Sequence, residues 1–312
     1  MHERLPLVVL VGPTAIGKTQ MAFELFQHFE NIEIVSADSR QIFRFMDIGT
    51  AKPSIDELKK YPHHCIDIKY PDEYFSAGEF GNLARTICRS LSSKEKLPLV
   101  VGGSGLYIRS LVDGLFKVGD RNPEIKTKLE AEEHEFGLEK LYAQLLSVDP
   151  QTAAKIHRND RQRILRALEV YLSTGESISD LREKSKQDTG IDPEYIGLIR
   201  NRGDLYKNIE ERVDKMVASG LINEVIELKN KNYTSELQSQ KTVGYSEIHD
   251  FLDGKFDKKT AIDLIKQNTR RFAKHQLTWF KKNKYIQWLS VDTDKEWEYA
   301  RSLIIEKLSN HK

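Results

Sequence analysis

An eight-residue stretch near the amino terminus constrains the fold of this chain more than any other part of its sequence. Residues 12–19 are Gly-Pro-Thr-Ala-Ile-Gly-Lys-Thr and match the pattern G-x-x-x-x-G-K-S/T in full. An apolar run over residues 5–11 predicts a buried strand before them, and the spacing of apolar residues from Met21 to Phe29 predicts a helix after them. In this strand–loop–helix context the pattern predicts a phosphate-binding loop.

The loop predicts a ligand that carries two or three phosphates. Backbone N–H groups of the glycine-rich turn and of the helix N-terminus can surround phosphate oxygens, Lys18 adds a positive charge, and the Thr19 hydroxyl can hold Mg²⁺. A glycine-rich turn without a ligand is the alternative. The expected phosphate-binding residues are Gly12, Pro13, Thr14, Ala15, Ile16, Gly17, Lys18 and Thr19.

Two further apolar runs predict strands of the same parallel sheet. Residues 32–36 end shortly before Asp38, and residues 97–101 end before Gly102, Gly103 and Ser104. Because ligands of parallel sheets bind at the carboxyl ends of the strands, these residues are expected to share one site with the phosphate loop. At this position Asp38 has two interpretations. It acts on the ligand, as a general base or a Mg²⁺ ligand, or it is the N-cap of a helix. Ser104 belongs to a turn that either brings donors to the reacting centre or only packs.

The composition changes at about residue 115, and residues 124–140 are rich in Glu and Lys. Residues 138–147, 150–158 and 160–174 have helical spacing, and residues 196–199 predict a short strand that returns to the sheet. We therefore expect an α/β core of the P-loop NTPase type, a parallel sheet covered by helices, over residues 1–114 and 196–312. Residues 115–195 are expected to form an all-helical insertion domain.

The overall charge is balanced, but two segments are locally basic. Lys plus Arg is 48 and Asp plus Glu is 47, a net charge of +1, which excludes a globally basic chain. Residues 264–291 contain no Asp or Glu and mix basic with aromatic residues, and residues 155–166 hold a second basic cluster. Such segments suit phosphate backbones and unstacked bases, or are solvated helix faces. Two cysteines and the lack of a long apolar run favour a cytoplasmic protein without a membrane segment.

Adjacent His63, His64 and Cys65 raise the question of a metal site. Neighbouring residues of an extended segment point to opposite faces, and no second cysteine pair follows. We therefore expect structural roles for these three residues.

In several blocks of its sequence, the chain resembles the tRNA dimethylallyltransferases, also called isopentenyl-tRNA transferases. The resemblance extends over nearly the whole chain and rests on several blocks that occur in the same order. They are residues 12–19, Ser36–Gln41, Asp47–Pro53, Gly102–Tyr107, Asn159–Arg163 with Arg166–Tyr171, and Ala273–Phe280.

The resemblance implies transfer of a dimethylallyl group from dimethylallyl diphosphate to the exocyclic N6 amine of the adenine just 3′ of the anticodon in tRNA, with Mg²⁺ present. The phosphate loop and Arg212 would then bind the diphosphate leaving group. Asp38 would take a proton from the amine, and Ser104, where relatives usually have Thr, would form a hydrogen bond at the reacting centre. The target base must leave its stack, so a channel between core and insertion is expected.

The family pattern further implies contacts with the anticodon stem-loop of tRNA. The residues expected there are Asp38, Ser39, Arg40, Gln41, Asn159, Asp160, Arg161, Gln162, Arg163, Lys241, Gly244, Tyr245, Lys274, His275 and Gln276. His275 stands where the family usually has Arg, which weakens a phosphate contact because His is mostly neutral at pH 7. Ser246 stands where it usually has Lys. The zinc-finger extension of some eukaryotic relatives is absent, which suggests a bacterial or organellar type, and a monomer is expected.

The main alternative is an ATP-dependent kinase of a small molecule or nucleotide that uses the same loop. Such a kinase does not need a basic and aromatic face. A second alternative is a nucleotide-driven switch or binding module. The chain lacks the D-x-x-G and N-K-x-D patterns of GTPase switches, and a tRNA-binding protein without catalysis would leave Asp38 without a role.

Overall fold

The computed structural model describes residues 4–115, 122–184 and 188–310 and divides the chain into two compact units. The first unit comprises residues 1–112 and 189–312, and the second comprises residues 113–188. The expected insertion, residues 115–195, extends too far toward the carboxyl terminus. Its last residues belong to the sheet, because Ile191 to Gly197 pair in register with Leu5 to Val11.

One parallel sheet organises the first unit. In the part of the chain that the structure describes, its strands are β1 (Leu5–Val11), β2 (Ile32–Ala37), β3 (His63–His64), β4 (Leu97–Gly102), β5 (Ile191–Ile199) and β6 (Gln287–Ser290). Their order is β3-β2-β4-β1-β5-β6, and every pairing is parallel. The chain builds β2 to β4 on one side of β1, and β5 and β6 on the other. Ligands of such sheets bind beyond the carboxyl ends at this reversal, where the phosphate loop follows β1.

Helices of the first unit cover both faces of this sheet, whereas α5 to α9 belong to the second unit. In chain order the helices are α1 (Lys18–Leu25), α2 (Ile55–Lys60), α3 (Ala77–Ser92), α4 (Gly105–Val112), α5 (Pro123–Phe136), α6 (Leu138–Val148), α7 (Pro150–Ala153), α8 (Arg161–Thr174), α9 (Ile178–Lys184), α10 (Arg202–Ala218), α11 (Leu221–Asn230), α12 (Tyr245–Leu252), α13 (Lys258–Phe280) and α14 (Asp294–Ser309). Side chains alternate across β1, so Leu7, Val9 and Val11 pack in one apolar cluster with α3 and α4. Val8 and Leu10 pack in a second cluster with α1 and α14. Burial on both faces explains the continuous apolar runs of the strands and confirms the predicted P-loop type of α/β fold.

The second unit is helical and has an apolar core of its own. Helices α5 to α9 supply this core, which includes the buried residues Leu141, Leu145 and Ile164. Asp149 caps α7, and Pro150 occupies the first position of that helix, where a missing N–H costs nothing. Among the described helices of both units, none combines the length and the apolar character needed to cross a bilayer.

Candidate active site

A cavity of about 370 Å³ lies at the carboxyl ends of β1, β2 and β4. The loops that follow these strands contribute to its wall, together with residues of α10 and α13 and the segment 241–244. The three loops that the sequence assigned to one site therefore meet. The expected site residues in the wall are Thr14, Ala15, Ile16, Gly17, Lys18, Thr19, Asp38, Ser39, Arg40, Gln41, Ser104, Arg212, Lys241, Gly244 and Gln276.

The phosphate loop turns sharply into α1. Gly17 has a φ of +104°, a left-handed conformation that side chains rarely adopt, and α1 begins at the next residue. The Nζ of Lys18 donates hydrogen bonds to the carbonyl oxygens of Gly12 at 2.9 Å and Pro13 at 2.7 Å. Gly12 and Pro13 are buried and hold this lysine through their carbonyl groups. Because the first N–H groups of a helix have no partner within it, the start of α1 is suited to an anion.

The charges in the wall favour an anionic ligand. Among its described residues Lys18, Arg40, Arg212 and Lys241 are basic, whereas Asp38 is the one acidic residue. Burial lowers the pKa of Lys18 to about 7, an effect that Asp38 opposes and Arg212 reinforces. Burial also lowers the pKa of Arg40 and that of Arg212, again against the effect of Asp38. A bound anion would favour the protonated lysine, because a nearby opposite charge stabilises the charged form.

Asp38 is held by one carboxylate oxygen, which leaves the other available. Its Oδ1 accepts hydrogen bonds from the backbone N–H groups of Arg40 at 2.8 Å and Gln41 at 3.4 Å. The bonds form a turn, and no helix of the described chain begins there, so the helix N-cap alternative is wrong. Within the described residues, Oδ2 accepts no hydrogen bond. A carboxylate that is fixed by one oxygen and open at the other can accept a proton from a ligand in the cavity.

Ser104 connects the end of β4 to the turn that contains Asp38. Its Oγ accepts a hydrogen bond from the backbone N–H of Ser39 at 3.0 Å and donates one to the Ser39 Oγ at 3.2 Å. The backbone N–H of Ser104 donates to the carbonyl oxygen of Ala37 at 3.2 Å. Ser104 therefore fixes the backbone on both sides of Asp38 and also places its hydroxyl group in the wall.

Gln276 lies in the cavity wall and joins two loops of the site, while its expected tRNA contact stays a prediction. Its Oε1 accepts a hydrogen bond from the backbone N–H of Thr14 at 2.9 Å, and its Nε2 donates to the carbonyl oxygen of Gly103 at 3.0 Å. The residue is only 8% exposed, and both ends of its amide are engaged by backbone groups. Gln276 thus joins the phosphate loop to the second glycine-rich turn. A Cβ atom at position 103 would lie 2.3 Å from the Gln276 Nε2, so this contact requires glycine there.

Glu224 is a carboxylate that was not predicted from the sequence, and it holds the loop over residues 47–49. Glu224, in the first turn of α11, accepts hydrogen bonds from the consecutive N–H groups of Asp47 (2.9 Å), Ile48 (2.7 Å) and Gly49 (3.1 Å). The following carbonyl oxygen, that of Thr50, accepts from Arg212 at 3.5 Å. Glu224 therefore positions a loop that supports a cation of the wall. No local pattern marks Glu224, since its donors are 175 to 177 residues away in the chain.

Tyr245 is not available for the expected tRNA contact. Its side chain is fully buried and its hydroxyl donates to the Oε1 of Glu224 at 2.5 Å. Burial and the adjacent carboxylate raise the pKa of Tyr245 well above its usual range. The tyrosine therefore supports the loop at residues 47–49 through Glu224.

The other expected tRNA contacts lie outside the cavity wall. Lys274 and His275 are exposed on α13, and residues 159–163 belong to the second unit. In that unit, the Nε of Arg161 donates to both carboxylate oxygens of Glu133 at 2.7 and 2.8 Å, and a terminal guanidinium nitrogen lies 2.7 Å from Oε2 of the same carboxylate. That partner reduces the positive charge that Arg161 can offer to a phosphate group.

The histidines near β3 have structural partners. The Nδ1 of His63 lies 2.5 Å from the carbonyl oxygen of Tyr61, and the Nε2 of His64 lies 2.7 Å from a carboxylate oxygen of Glu33. Burial lowers the pKa of His63, which contributes to the cavity wall. Across the described ranges, no group of three or more His, Cys, Asp or Glu is arranged to hold a metal ion.

The fold and the cavity define a P-loop α/β protein with a cationic cavity that also contains an available carboxylate. The family model described as IPP transferase matches residues 41–283 of the chain. A tRNA dimethylallyltransferase from Alkaliphilus oremlandii is 44% identical over 306 residues, which are 98% of this chain and 97% of that protein. The chain therefore belongs to the IPP transferase family.

Solved structures agree with this assignment. The full-length tRNA isopentenylpyrophosphate transferase from Bacillus halodurans has a TM-score of 0.71 and 38% identity, with 99% of this chain and 98% of that chain covered. A eukaryotic dimethylallyltransferase acting on tRNA has a TM-score of 0.82 and 25% identity, with 98% of this chain and 78% of that chain covered. The similarity thus extends through both units of the chain.

Proposed function

We propose that this protein transfers a dimethylallyl group from dimethylallyl diphosphate to the N6 amine of the adenine immediately 3′ of the anticodon in tRNA and releases diphosphate. The observation that carries the proposal is the available Oδ2 of Asp38 in the same cavity wall as the phosphate loop. One group suits proton removal and the other suits a departing anion. The family of the chain supports this reaction over the ATP-dependent kinase alternative.

The wall offers complementary surfaces for the two parts of the proposed donor. Residues 12–19, of which 14–19 lie in the wall, are proposed to bind the diphosphate together with Arg212. Lys18 would be protonated when the anion is present. Other parts of the wall are apolar and suit the hydrocarbon chain of the donor, because burying apolar surface against apolar side chains is favourable. They include Ile34, Val213, Met216, Val243 and Ile265.

The proposed reaction is a substitution at the allylic carbon. The N6 lone pair forms a bond to this carbon while the carbon–oxygen bond to the diphosphate breaks, and the bonding electron pair leaves with the diphosphate. The amine proton moves to the Oδ2 of Asp38. Ser104 keeps the Asp38 turn in place and offers a hydroxyl to the reacting centre, while Lys18 and Arg212 stabilise the charge that develops on the leaving group.

The wall also suits Mg²⁺ in part. Mg²⁺ prefers oxygen ligands and often takes few from the protein, with substrate phosphates and water completing its shell. Thr19 and Asp38 supply a hydroxyl and a carboxylate in one wall, and Thr19 is the residue proposed to hold the ion. When bound, Mg²⁺ would supply charge compensation for the diphosphate.

The tRNA anticodon stem-loop is the proposed acceptor. At the cavity we propose contacts from Asp38, Ser39, Arg40, Gln41, Lys241 and Gly244, outside the wall from Lys274 and His275, and in the second unit from Asn159, Asp160, Arg161, Gln162 and Arg163. We further propose that the protein acts as a monomer in the cytoplasm.

The Asp38→Asn variant tests this function. The amide keeps an oxygen for the N–H groups of Arg40 and Gln41 but cannot serve as a base. Incubation with unmodified tRNA, Mg²⁺ and dimethylallyl diphosphate, followed by nucleoside mass analysis, should show adenosine with one five-carbon unit added by the wild type. We expect kcat of the variant to fall by about 10²- to 10⁴-fold, with tRNA affinity nearly intact because the amide keeps the size of the carboxylate and can still contact the tRNA.

Two controls make the result specific. Asp263→Asn changes an exposed carboxylate on α13 and should retain wild-type turnover. A parallel incubation with ATP in place of the prenyl donor should show no ATP consumption. ATP turnover without mass gain on the nucleoside would contradict the proposed reaction, and an Asp38→Asn variant with wild-type kcat would contradict the role of Asp38.

A further inference from the structure

Phe45 combines an exposed aromatic ring with a strained backbone. Its φ is +67°, in the left-handed region, and 43% of the residue is exposed. A bulky residue with positive φ is a genuine outlier, and such strain concentrates where a side chain has a function.

Phe45 belongs to a group of aromatic rings that we name the aromatic platform, formed by Phe45, Tyr70 and Tyr233. The ring centroid of Phe45 lies 5.9 Å from that of Tyr70 and 6.5 Å from that of Tyr233, with the latter pair close to parallel. The Nζ of Lys231 lies 5.4 Å from the Phe45 centroid. The guanidinium of Arg44 lies 4.7 Å from the Tyr70 centroid and donates to the Tyr70 hydroxyl at 2.9 Å.

The charges around the platform favour an anionic partner with flat groups. Arg44 and Lys231 supply the positive charge at the platform, and Arg44 also helps to lower the pKa of Glu73, after the hydrogen bonds from Tyr70 and Lys69. The acidic neighbours are Asp72 and Glu73, which contribute to the raised pKa of Tyr233 after burial. Glu73 is engaged locally, because its carboxylate accepts from the Tyr70 N–H at 2.5 Å and pairs with Lys69 at 3.1 Å.

The platform adjoins the cavity through the chain and through hydrogen bonds. Phe45 lies between two segments of the wall, residues 40–41 and 49–51. Near Tyr70, the Ser239 hydroxyl donates to the carbonyl oxygen of Pro71 at 2.7 Å. The wall residue Arg40 donates to the carbonyl oxygen of Gln238, the residue before Ser239, at 3.2 Å. The segments that carry the platform are therefore connected directly to segments of the cavity wall.

We propose that the ring of Phe45 stacks on an unpaired base of the RNA substrate, while Arg44 and Lys231 contact the adjoining phosphates. The proposal rests on the proposed function, which makes RNA the acceptor. Aromatic side chains bind single-stranded bases by stacking, and nearby cations hold the backbone. The platform would thus add affinity for the acceptor at a point outside the cavity.

The Phe45→Gly variant is the sharpest test. Glycine adopts a φ of +67° without strain, so the substitution removes the ring and does not threaten the fold. We expect KM for tRNA to rise by about 5- to 100-fold, the range of one stacked base. KM for dimethylallyl diphosphate, kcat at saturating tRNA and the Tm should not be reduced.

Further variants separate stacking from other effects. Phe45→Trp should retain tRNA affinity, whereas Phe45→Leu, which keeps apolar bulk without a flat ring, should lose it. Lys231→Gln should weaken binding and reduce its salt dependence by about one counterion. Tyr299→Ala, which removes an exposed aromatic ring on α14, should change nothing.

Several results would overturn the inference. Wild-type KM for tRNA in Phe45→Gly would do so, as would full tRNA affinity in Phe45→Leu. A platform that serves a protein partner would also leave the binding of purified tRNA unchanged in these variants. If the wild type itself transfers no prenyl group to tRNA, the proposed function fails, and this outcome is distinct from normal transfer that is insensitive to Phe45.

Discussion

The electrostatics of the phosphate loop can be tested with the Lys18→Met variant. Burial holds the pKa of the folded lysine at about 7, against the ordinary value of 10.5. Between these values the unfolded chain binds the proton and the folded protein does not, so wild-type stability rises as pH increases through this window. Below about pH 7 the buried lysine is protonated in the folded protein, and the full cost of burying its charge destabilises the fold. Met has a similar length and no charge, so the variant lacks this dependence.

The expected magnitude follows from the two pKa values. From about pH 6 to about pH 9.5 the linkage changes wild-type stability by about 3 kcal/mol. For a unit of this size, about 1 kcal/mol corresponds to about 2 °C in Tm. The Tm of the variant relative to wild type should therefore fall by about 6 °C over that pH range. The lost hydrogen bonds to Gly12 and Pro13 shift the variant by an amount that does not depend on pH.

Calorimetry of the ligand-free proteins in phosphate-free buffers measures this difference. The Lys94→Met variant, at an exposed lysine, is the control and should show a constant Tm difference from wild type. Added inorganic pyrophosphate should stabilise the wild type more than Lys18→Met, because a bound anion favours the protonated lysine. A Lys18→Met difference that does not vary with pH would refute the reasoning, since the ammonium would then not be desolvated.

Two further predictions concern residues that hold the loops of the cavity. Glu224→Gln should lower the free energy of unfolding by about 2–4 kcal/mol in urea titrations, because one amide oxygen cannot satisfy the donors of a carboxylate. Tyr245→Phe removes one of these donors and should lower it by about 1 kcal/mol. Equal losses in the two variants would count against the role of the Glu224 carboxylate in holding the loop. Gln276→Leu should cost about 1–3 kcal/mol and raise KM for the prenyl donor, since the N–H of Thr14 loses its acceptor. The exposed control on the same helix, Gln267→Leu, should keep the wild-type KM, and a matching rise in this control would show a general effect of α13.

Features that depend on neighbouring residues were predictable from the sequence. The apolar runs correctly predicted β1, β2 and β4, and the small residues after them correctly placed Asp38 and Ser104 beside the phosphate loop. The first part of β5 was missed because Asp192, Pro193 and Glu194 interrupt its apolar pattern. Over residues 191–195 the strand pairs with β1 alone, because β6 pairs only with residues 196–199. One edge of this part of β5 is therefore not used by β6, and Pro193, which has no N–H to donate, is tolerated there.

Features that depend on distant partners were not predictable. Gln276 binds a loop 262 residues before it, and nothing in its own helix distinguishes this amide from an exposed one. Tyr245 follows a glycine in a segment typical of an exposed turn, yet Glu224 draws its hydroxyl into the interior. In both cases the side chain is used by a tertiary contact that has no local pattern.

The hydrogen bonds of Arg212, Glu224 and Gln276 have a consequence for how the protein matures on the ribosome. These side chains come from the last third of the chain, and the backbone groups that they hold lie within its first 103 residues. A nascent polypeptide therefore carries its phosphate loop long before the supports of that loop are translated. Such long-range closure is slow and must follow release of the carboxyl-terminal helices from the exit tunnel, so incomplete translation products should lack a fully formed cavity.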